Sequence, residues 1–346
     1  MRRIGVLTFL HNDNYGSALQ AYALQRVIRE IGYDCVHLDY QPDRKEKILN
    51  LLRSGNNVKL ILEGMRKRSV RTGQAGARRK SEAFPVFYSR KMELTQRCRN
   101  AGELRQACTS FDTLVCGSDQ IWNPVWLNPA YFLTFARHNV RKIAYAPSLG
   151  IQTLPAASKI RKIRTWTRGF SAISVRETEG ADILEQMTGI HAEVMPDPVC
   201  LLKKEAWEAI AAPAPEGEPY LLCYFIGTNE TYRDKVRRIS DETGLRVLEI
   251  PVTAEGYSSG FDLLEGLGPE EFLGAVKGAS FFCTDSFHGL VFGTILGVRT
   301  EPFRRYREDD PESKNSRMDN FLRLIREQGP EELRTRGMNW LQKALE

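Results

Sequence analysis

The segment from 279 to 296 constrains the fold most, because a strand, a helix cap and a helix follow one another there with no loop between them. Its first part is apolar and predicts a buried strand, Ser286 is a good helix N-cap, and 290–296 predicts a tightly packed helix. His288 therefore falls at the carboxyl end of a strand and in the first turn of a helix. In open α/β sheets, ligands bind at this place.

Two interpretations of His288 follow from that position. Free backbone N–H groups and the helix dipole attract anions at the start of a helix, and a histidine there can also move a proton at neutral pH. Alternatively, the imidazole only caps or packs the turn. The segment by itself favours neither interpretation.

Strand-like and helical segments alternate along most of the chain. Residues 4–10 predict a strand, 17–31 predict an amphipathic helix with Ser17 as its cap, and 36–40 predict a second strand. These three segments form a βαβ opening, and the same alternation resumes after residue 110. The pattern predicts an α/β protein.

The length of 346 residues indicates two domains, because single cores stop growing at roughly 250–300 residues. We expect Rossmann-like domains over 1–165 and 166–330, a basic insertion at about 44–110 in the first, and a C-terminal tail helix over 331–346. Two such domains facing across a cleft suit an enzyme that must hold two substrates.

Composition excludes several classes of protein. The net charge of +6 is modest and does not imply a nucleic-acid partner. The seven cysteines form no CxxC pair and sit largely in apolar stretches, so we expect buried thiols in a reducing compartment and no metal site. The N-terminal apolar run is too short for a signal peptide, and no stretch approaches the ~20 apolar residues of a membrane span. The sequence predicts a cytoplasmic protein.

A basic segment runs from Arg66 to Lys80 and contains no acidic residue. Gly73 and Gly76 weaken a helix prediction there, so we expect an exposed basic arm. Most basic segments of this kind are solvated loops, and this is the favoured interpretation. A peripheral contact with an anionic membrane is an open alternative, whereas the absence of interleaved aromatic residues argues against nucleic acid.

A polar loop follows the first predicted strand and contains Asn14, Tyr15 and Gly16. Gly16 permits an unusual backbone angle, and amides with Asn and Asp side chains can bind sugar hydroxyls. An ordinary polar turn is the alternative interpretation.

A second loop, after the strand that ends at 116, contains Ser118, Asp119, Gln120 and Trp122. Asp119 can accept a hydroxyl proton as a base. Trp122 and Trp126 can form an apolar platform for a sugar face, with Gln120 supplying hydrogen bonds. Alternatively, Ser118 or Asp119 caps a short helix and the tryptophans belong to the core, which is the favoured interpretation for Trp126.

Arg176 ends a third predicted strand. A guanidinium at this place can clamp a phosphate or a carboxylate with two hydrogen bonds. A surface ion pair with Glu177 or Glu179 is the alternative.

Taken in order, these signatures resemble the polysaccharide pyruvyl transferase family. The resemblance covers roughly residues 4 to 325. The matching segments are Asn14-Tyr15-Gly16-Ser17, Leu19-Gln20-Ala21-Tyr22, Gly117-Ser118-Asp119-Gln120-Ile121-Trp122-Asn123, Tyr145-Ala146-Pro147-Ser148, Ser174-Val175-Arg176-Glu177, Asp197-Pro198 and Thr284-Asp285-Ser286-Phe287-His288-Gly289. The first segment departs from the Asn-x-Gly-Asp of many members, because Ser17 stands at the last position.

The resemblance implies two Rossmann-like domains in a glycosyltransferase B-like architecture, with the active site in the interdomain cleft. It also implies transfer from phosphoenolpyruvate to two hydroxyls of a sugar, which gives a cyclic pyruvate ketal and phosphate. Phosphoenolpyruvate would be a donor substrate, and no cofactor is expected. The sugar acceptor, carried on a nucleotide, a lipid or a polymer, would bind the N-terminal half, and the donor would bind the C-terminal half.

By the same resemblance, His288 is the catalytic histidine and Arg176 a ligand of the donor anion. The helix start from Ser286 to Gly289 would hold the phosphate or carboxylate, and Arg317 is a lesser candidate for the same anion. The expected role is exopolysaccharide or cell-surface polysaccharide biosynthesis. A nucleotide-sugar glycosyltransferase of the same fold and a non-catalytic anion-binding protein remain the alternatives.

Overall fold

The computed structural model describes residues 2–55, 75–229, 231–305 and 316–346. It is an α/β protein with two parallel sheets, and the chain divides into two compact units. The first unit comprises the described residues of Met1–Leu62, Tyr88–Leu201 and Leu322–Glu346, and the second those of Glu63–Phe87 and Leu202–Phe321. The predicted fold class is confirmed.

The first unit holds a six-stranded sheet in the order β2-β1-β3-β4-β5-β6, and every pairing is parallel. Its strands are β1 (Arg3–Leu7), β2 (Asp34–His37), β3 (Thr113–Cys116), β4 (Arg141–Ala144), β5 (Ala172–Val175) and β6 (Glu193–Val194). The central strand β3 is buried at every position, as expected for a parallel strand covered on both faces.

The second unit holds a five-stranded parallel sheet in the order β11-β10-β7-β8-β9. Its strands are β7 (Tyr220–Tyr224), β8 (Arg246–Glu249), β9 (Asp262–Leu263), β10 (Phe281–Thr284) and β11 (Thr300–Pro302). The predicted strand that leads to His288 is β10, and all four of its residues are buried.

Helices connect the strands. In chain order they are α1 (Tyr15–Glu30), α2 (Arg44–Ser54), α3 (Ala75–Lys91), α4 (Ala101–Ala107), α5 (Ala157–Thr167), α6 (Thr178–Thr188), α7 (Lys204–Glu208), α8 (Thr231–Thr243), α9 (Ala254–Tyr257), α10 (Pro269–Gly278), α11 (Phe287–Leu296) and α12 (Ser316–Leu345). Short 3₁₀ turns lie at Cys108–Ser110, Pro124–Trp126, Pro129–Phe132 and Pro198–Leu201. Within the described ranges, no helix is both long and apolar enough to cross a bilayer.

The structure divides the chain differently from the predicted ranges 1–165, 166–330 and 331–346. Strands β5 and β6 continue the first sheet beyond residue 165, so the first unit extends to Leu201. The tail returns to this unit, where the Trp340 indole N–H donates to Glu193 Oε1 at 2.8 Å. Gly329 has non-helical backbone angles (φ 76°, ψ 164°) inside α12, so two helices meet at this kink and the tail forms the second of them.

The basic insertion is more regular than expected, because its described part contains α2, α3 and α4. Residues 66–74 of the basic segment lie outside the described residues, and residues 75–80 begin α3. Gly76 is compatible with this helix for a packing reason, since a Cβ there would lie 2.8 Å from Glu265 Cβ. The absence of a Cβ at Gly76 therefore lets the Glu265 side chain pack close to the backbone of α3, and the helix continues through this glycine.

Each sheet has one point where the strand order reverses. In the first sheet the chain moves from β1 outward to β2 and then returns to β3 on the other side of β1. In the second sheet it moves from β7 to β8 and β9, and then returns to β10 beside β7. Loops that leave adjacent strands in opposite directions open a crevice at their carboxyl ends. The loops that carry Asp119, Arg176 and His288 lie at these carboxyl ends.

Candidate functional site

The loops after β1 and β3 meet at Asp119 in the first unit. Asn14 is the N-cap of α1, and its side chain accepts a hydrogen bond from the Ser17 N–H at 3.1 Å. The Ser17 hydroxyl donates to Asp119 Oδ2 at 2.5 Å, and the Asn12 amide donates to the Ser17 oxygen at 3.0 Å. The helix cap is therefore Asn14, whereas Ser17 was the predicted cap. The Ser17 hydroxyl instead orients the carboxylate of Asp119.

The Gln20 side chain, in the second turn of α1, forms hydrogen bonds to both the loop after β1 and the loop after β3. Its amide nitrogen donates to Thr8 Oγ1 at 2.9 Å, and its amide oxygen accepts from the Ser118 N–H at 2.9 Å. The Thr8 hydroxyl donates to the Ser118 carbonyl at 3.2 Å. Gln20, Ser118 and Thr8 are buried. Sequence reasoning gave Gln20 no role, although it lies one helical turn after Ser17 and therefore on the same face.

The backbone adopts left-handed angles around this crevice. Among the described residues, His11, Asp13, Asp119 and Ala146 have φ of 58°, 52°, 64° and 48°. Such angles are uncommon for side chains with a Cβ, and they gather at functional sites. The predicted unusual angle at Gly16 is absent, since Gly16 lies inside α1. Tyr15 also lies in α1 and is buried.

Trp122 is a core residue and forms no platform. Its ring is 1% exposed and stacks on Phe132 with centroids 4.8 Å apart. The exposed ring of this loop is Trp126, at 38%, and its indole N–H donates to the Gln120 carbonyl at 3.1 Å. The Gln120 side chain accepts from the Asn123 amide at 3.0 Å. Trp126 is therefore exposed, contrary to the core position favoured by sequence, and the binding platform considered for Trp122 is replaced by its alternative, a core position.

Arg176 directly follows β5 and belongs to the first unit, not to the C-terminal one. Its Nη1 lies 2.7 Å from Asp197 Oδ2, and the two side chains are 3% and 0% exposed. Burial lowers the pKa of the guanidinium, but the nearby carboxylates of Asp197, Glu177 and Asp119 outweigh burial and raise it above its ordinary value. The predicted surface ion pair is instead a buried one.

The Arg176 pair also reaches the Asp119 loop. The Ser118 hydroxyl donates to the Ala146 carbonyl at 2.6 Å and lies 3.3 Å from Asp197 Oδ2. Asp197 therefore joins the ends of β3 and β5 through buried polar contacts. The pairing of Asp197 with Arg176 was not predictable from sequence, because the two residues are 21 positions apart.

In the second unit, Asp285 closes the crevice between β7 and β10. Its carboxylate is fully buried and accepts hydrogen bonds from the N–H groups of Ile226 and Gly227, both at 2.7 Å. Arg305 Nε donates to it at 3.2 Å, and the Tyr232 hydroxyl lies 3.3 Å away. Sequence reasoning assigned Asp285 no role, although a carboxylate directly after a buried strand was the available signal.

His288 occupies the predicted place, at the end of β10 and in the first turn of α11. Ser286 is the N-cap, as predicted, and its hydroxyl accepts from the Gly289 N–H at 3.2 Å. That N–H is therefore engaged by the cap. The half-buried His288 ring packs edge-on against Phe287, with centroids 5.2 Å apart. Arg317 lies half-buried in the first turn of α12, also in the second unit.

Comparison with known proteins decides the family. The profile described as "Polysaccharide pyruvyl transferase" matches residues 14–303, which is most of the chain and includes both crevices. The chain belongs to the polysaccharide pyruvyl transferase family. A search of proteins with curated annotation finds no significant match.

Solved structures confirm the glycosyltransferase B-like fold of this pyruvyl transferase family member. A UDP-GlcNAc 2-epimerase from Neisseria meningitidis, bound to UDP-GlcNAc, matches with a TM-score of 0.53 and 8% identity over 100% of this chain and 99% of that one. The Methanocaldococcus jannaschii UDP-GlcNAc 2-epimerase has a TM-score of 0.52 and 11% identity, with the same coverage. An alpha-glucosyltransferase in complex with UDP-glucose and DNA has a TM-score of 0.51 and 7% identity over 100% and 95%. At such low identity, the likeness shows the fold alone.

Proposed function

We propose that this chain transfers the pyruvyl group of phosphoenolpyruvate onto two hydroxyls of a sugar and so forms a cyclic pyruvate ketal. The observation that carries the proposal is the position of His288, in the first turn of α11 at the end of β10, in a chain of this family. The acceptor would belong to an exopolysaccharide or a cell-surface polysaccharide, and would be carried on a nucleotide, a lipid or a polymer.

The balanced reaction defines what the residues must do. The methylene carbon of the donor gains one proton, and the neighbouring carbon forms bonds to two sugar oxygens. The bond from that carbon to the phosphate oxygen breaks, and its electron pair leaves with the phosphate. The two sugar hydroxyls lose two protons in total. One proton ends on the new methyl group, and the other ends on the phosphate.

In this proposal, the start of α11 holds the anionic donor. The positive end of the helix dipole favours a phosphate or carboxylate there, and the His288 side chain can donate a hydrogen bond to it. His288 then supplies the proton for the donor carbon or stabilises the departing phosphate, and such general acid catalysis contributes typically ~10²–10⁴-fold. Arg317 adds positive charge from the same unit, whereas the charge of Arg305 is matched by the buried Asp285.

Asp285 acts as a positioning residue for the donor. Its carboxylate binds the two amides after β7, and Arg305 also donates to its backbone carbonyl at 2.9 Å. These bonds hold the segment that leads into His288 in one conformation.

Asp119 would act on the acceptor as the base that receives a hydroxyl proton. Its carboxylate is held by the Ser17 hydroxyl and by the Gln120 N–H, at 2.5 and 2.8 Å, and its side chain is therefore oriented before a sugar arrives. We assign Arg176 a supporting role in this unit, because its charge is matched by the buried Asp197. This assignment replaces the donor-ligand role expected from sequence.

The test is a turnover experiment with phosphoenolpyruvate and a panel of sugar acceptors. Ketal formation should release phosphate and produce a new methyl singlet in the proton NMR spectrum, and His288→Gln should lose both signals together. Release of UDP from UDP-glucose or UDP-GlcNAc without consumption of phosphoenolpyruvate would contradict the proposal and favour a glycosyltransferase.

A further inference from the structure

Helix α2 has its polar side turned inward and its apolar side turned outward. The inward positions are Glu46, Asn50 and Ser54, which are 5%, 7% and 0% exposed and recur every four residues. The large outward side chains Ile48, Leu49 and Leu52 are 50%, 42% and 74% exposed. A helix of a globular protein normally shows the reverse arrangement.

Hydrogen bonds on the inward side fix this orientation. The Asn50 amide donates to the Tyr40 hydroxyl at 2.9 Å, and the Ser54 hydroxyl donates to the Asn50 carbonyl at 2.6 Å. Asp43 caps the helix and accepts from the Glu46 N–H at 2.8 Å. A rotation that buried the leucines would break the Asn50 bond, so the apolar side is held outward.

Basic residues surround the exposed apolar side. Arg44, Lys45 and Lys47 are exposed, and Arg53 is half exposed beside Glu46 at 3.7 Å. Arg53 also lines a groove of about 720 Å³ together with Arg105 and Lys162, and Trp166 forms part of its wall. Aliphatic side chains set among basic ones are typical of helices that lie in the plane of a membrane surface.

We propose that α2 docks this protein on an anionic lipid bilayer. Ile48, Leu49 and Leu52 would enter the boundary between headgroups and acyl chains, while Arg44, Lys45 and Lys47 would pair with lipid phosphates. Charge selects this occupant, because a second copy of the chain would bring like charges together. A nucleic acid would satisfy the charges but would leave the aliphatic side chains in water. The proposal is independent of the donor chemistry.

The test is co-sedimentation of the full chain with vesicles of phosphatidylcholine, alone or enriched in phosphatidylglycerol. We expect binding only to the anionic vesicles, and weakening of that binding by salt. Leu52→Gln should reduce the partition coefficient by about tenfold, and Lys47→Gln by about fivefold. The matched controls are Leu154→Gln, at a side chain 49% exposed outside α2, and Arg161→Gln, at an exposed position of α5.

A second measurement reports contact with lipid directly. All seven native cysteines are buried, so a thiol-reactive, polarity-sensitive dye will label an introduced Leu52→Cys selectively. Its emission should shift to the blue on anionic vesicles, whereas the same dye on Leu154→Cys should not respond.

Two results would overturn the proposal. One is equal vesicle binding by wild type, Leu52→Gln and Lys47→Gln, since these variants leave the basic segment 66–80 unchanged. The other is a dimer in light scattering that these substitutions dissociate, in the absence of vesicle binding, which would assign the apolar side to a second copy.

Discussion

Substitution of Asp197 tests the buried ion pair of the first unit. At the observed separation of 2.7 Å, and with an effective dielectric constant of ~20, the Coulomb attraction is about 6 kcal/mol. Desolvation of both groups offsets most of this attraction. Asp197→Asn, however, removes the carboxylate that acts most strongly on the buried Arg176 charge, and we expect it to lower the free energy of unfolding of this unit by about 3–5 kcal/mol.

Urea unfolding followed by tryptophan fluorescence measures this change. Four of the five tryptophans (122, 126, 166 and 340) lie in the first unit and will report mainly on it. The double variant Arg176→Met/Asp197→Leu should lose far less free energy of unfolding than the two single variants lose together, because it removes both charges of the pair. Additive single effects, or a loss below about 0.5 kcal/mol for Asp197→Asn, would refute the reasoning.

The same double variant decides what Arg176 does. If the guanidinium only supports the first unit, the folded double variant should bind phosphoenolpyruvate with the affinity of the wild type. Loss of binding in a variant that remains folded would return Arg176 to the donor site.

Three further predictions concern single residues. Asp119→Asn should lower the rate of ketal formation by about 10²–10⁴-fold, with an unchanged thermal midpoint in circular dichroism. Gly289→Ala should lower the free energy of unfolding by about 1–2 kcal/mol in urea titrations, because its Cβ would lie 2.5 Å from Thr284 Oγ1; the helical control Gly180→Ala, with its nearest atom at 3.3 Å, should not. Burial lowers the pKa of His37 from 6.5 to about 4, so the unfolded chain binds the extra proton first and stability should fall as the pH drops from 6.5 towards 4. The integrated loss is about 3 kcal/mol, and His37→Phe should remove this part of the pH dependence in denaturation titrations at each pH.

Local patterns predicted much of the fold. The apolar run before His288 is β10, the cap at Ser286 is present, and the helix predicted over 17–31 is α1. These features depend on neighbours a few residues apart, and their physical causes are therefore visible in the sequence.

Features set by distant contacts were not predictable in this way. The first sheet continues past residue 165 because β5 pairs with β4 through Ala144 and Ile173. Local sequence patterns predict that a strand forms, but they do not predict which sheet it joins. Burial of Trp122 and exposure of Trp126 depend on whether Phe132 lies against the ring. The outward apolar side of α2 runs against its pattern, because an amphipathic helix normally buries its apolar side, and the distant bond from Asn50 to the Tyr40 hydroxyl holds α2 the other way round.

Calorimetric titration with phosphoenolpyruvate measures directly whether this protein binds the proposed donor. We expect saturable binding to wild type and to His138→Gln, a histidine substitution at an exposed position. Binding to His288→Gln should be weaker by about tenfold or more, because a charge-assisted hydrogen bond is lost. Absence of phosphoenolpyruvate binding by the wild type, with and without sugar acceptors, together with saturable binding of UDP-GlcNAc, would show that the chain is not a pyruvyl transferase of this donor.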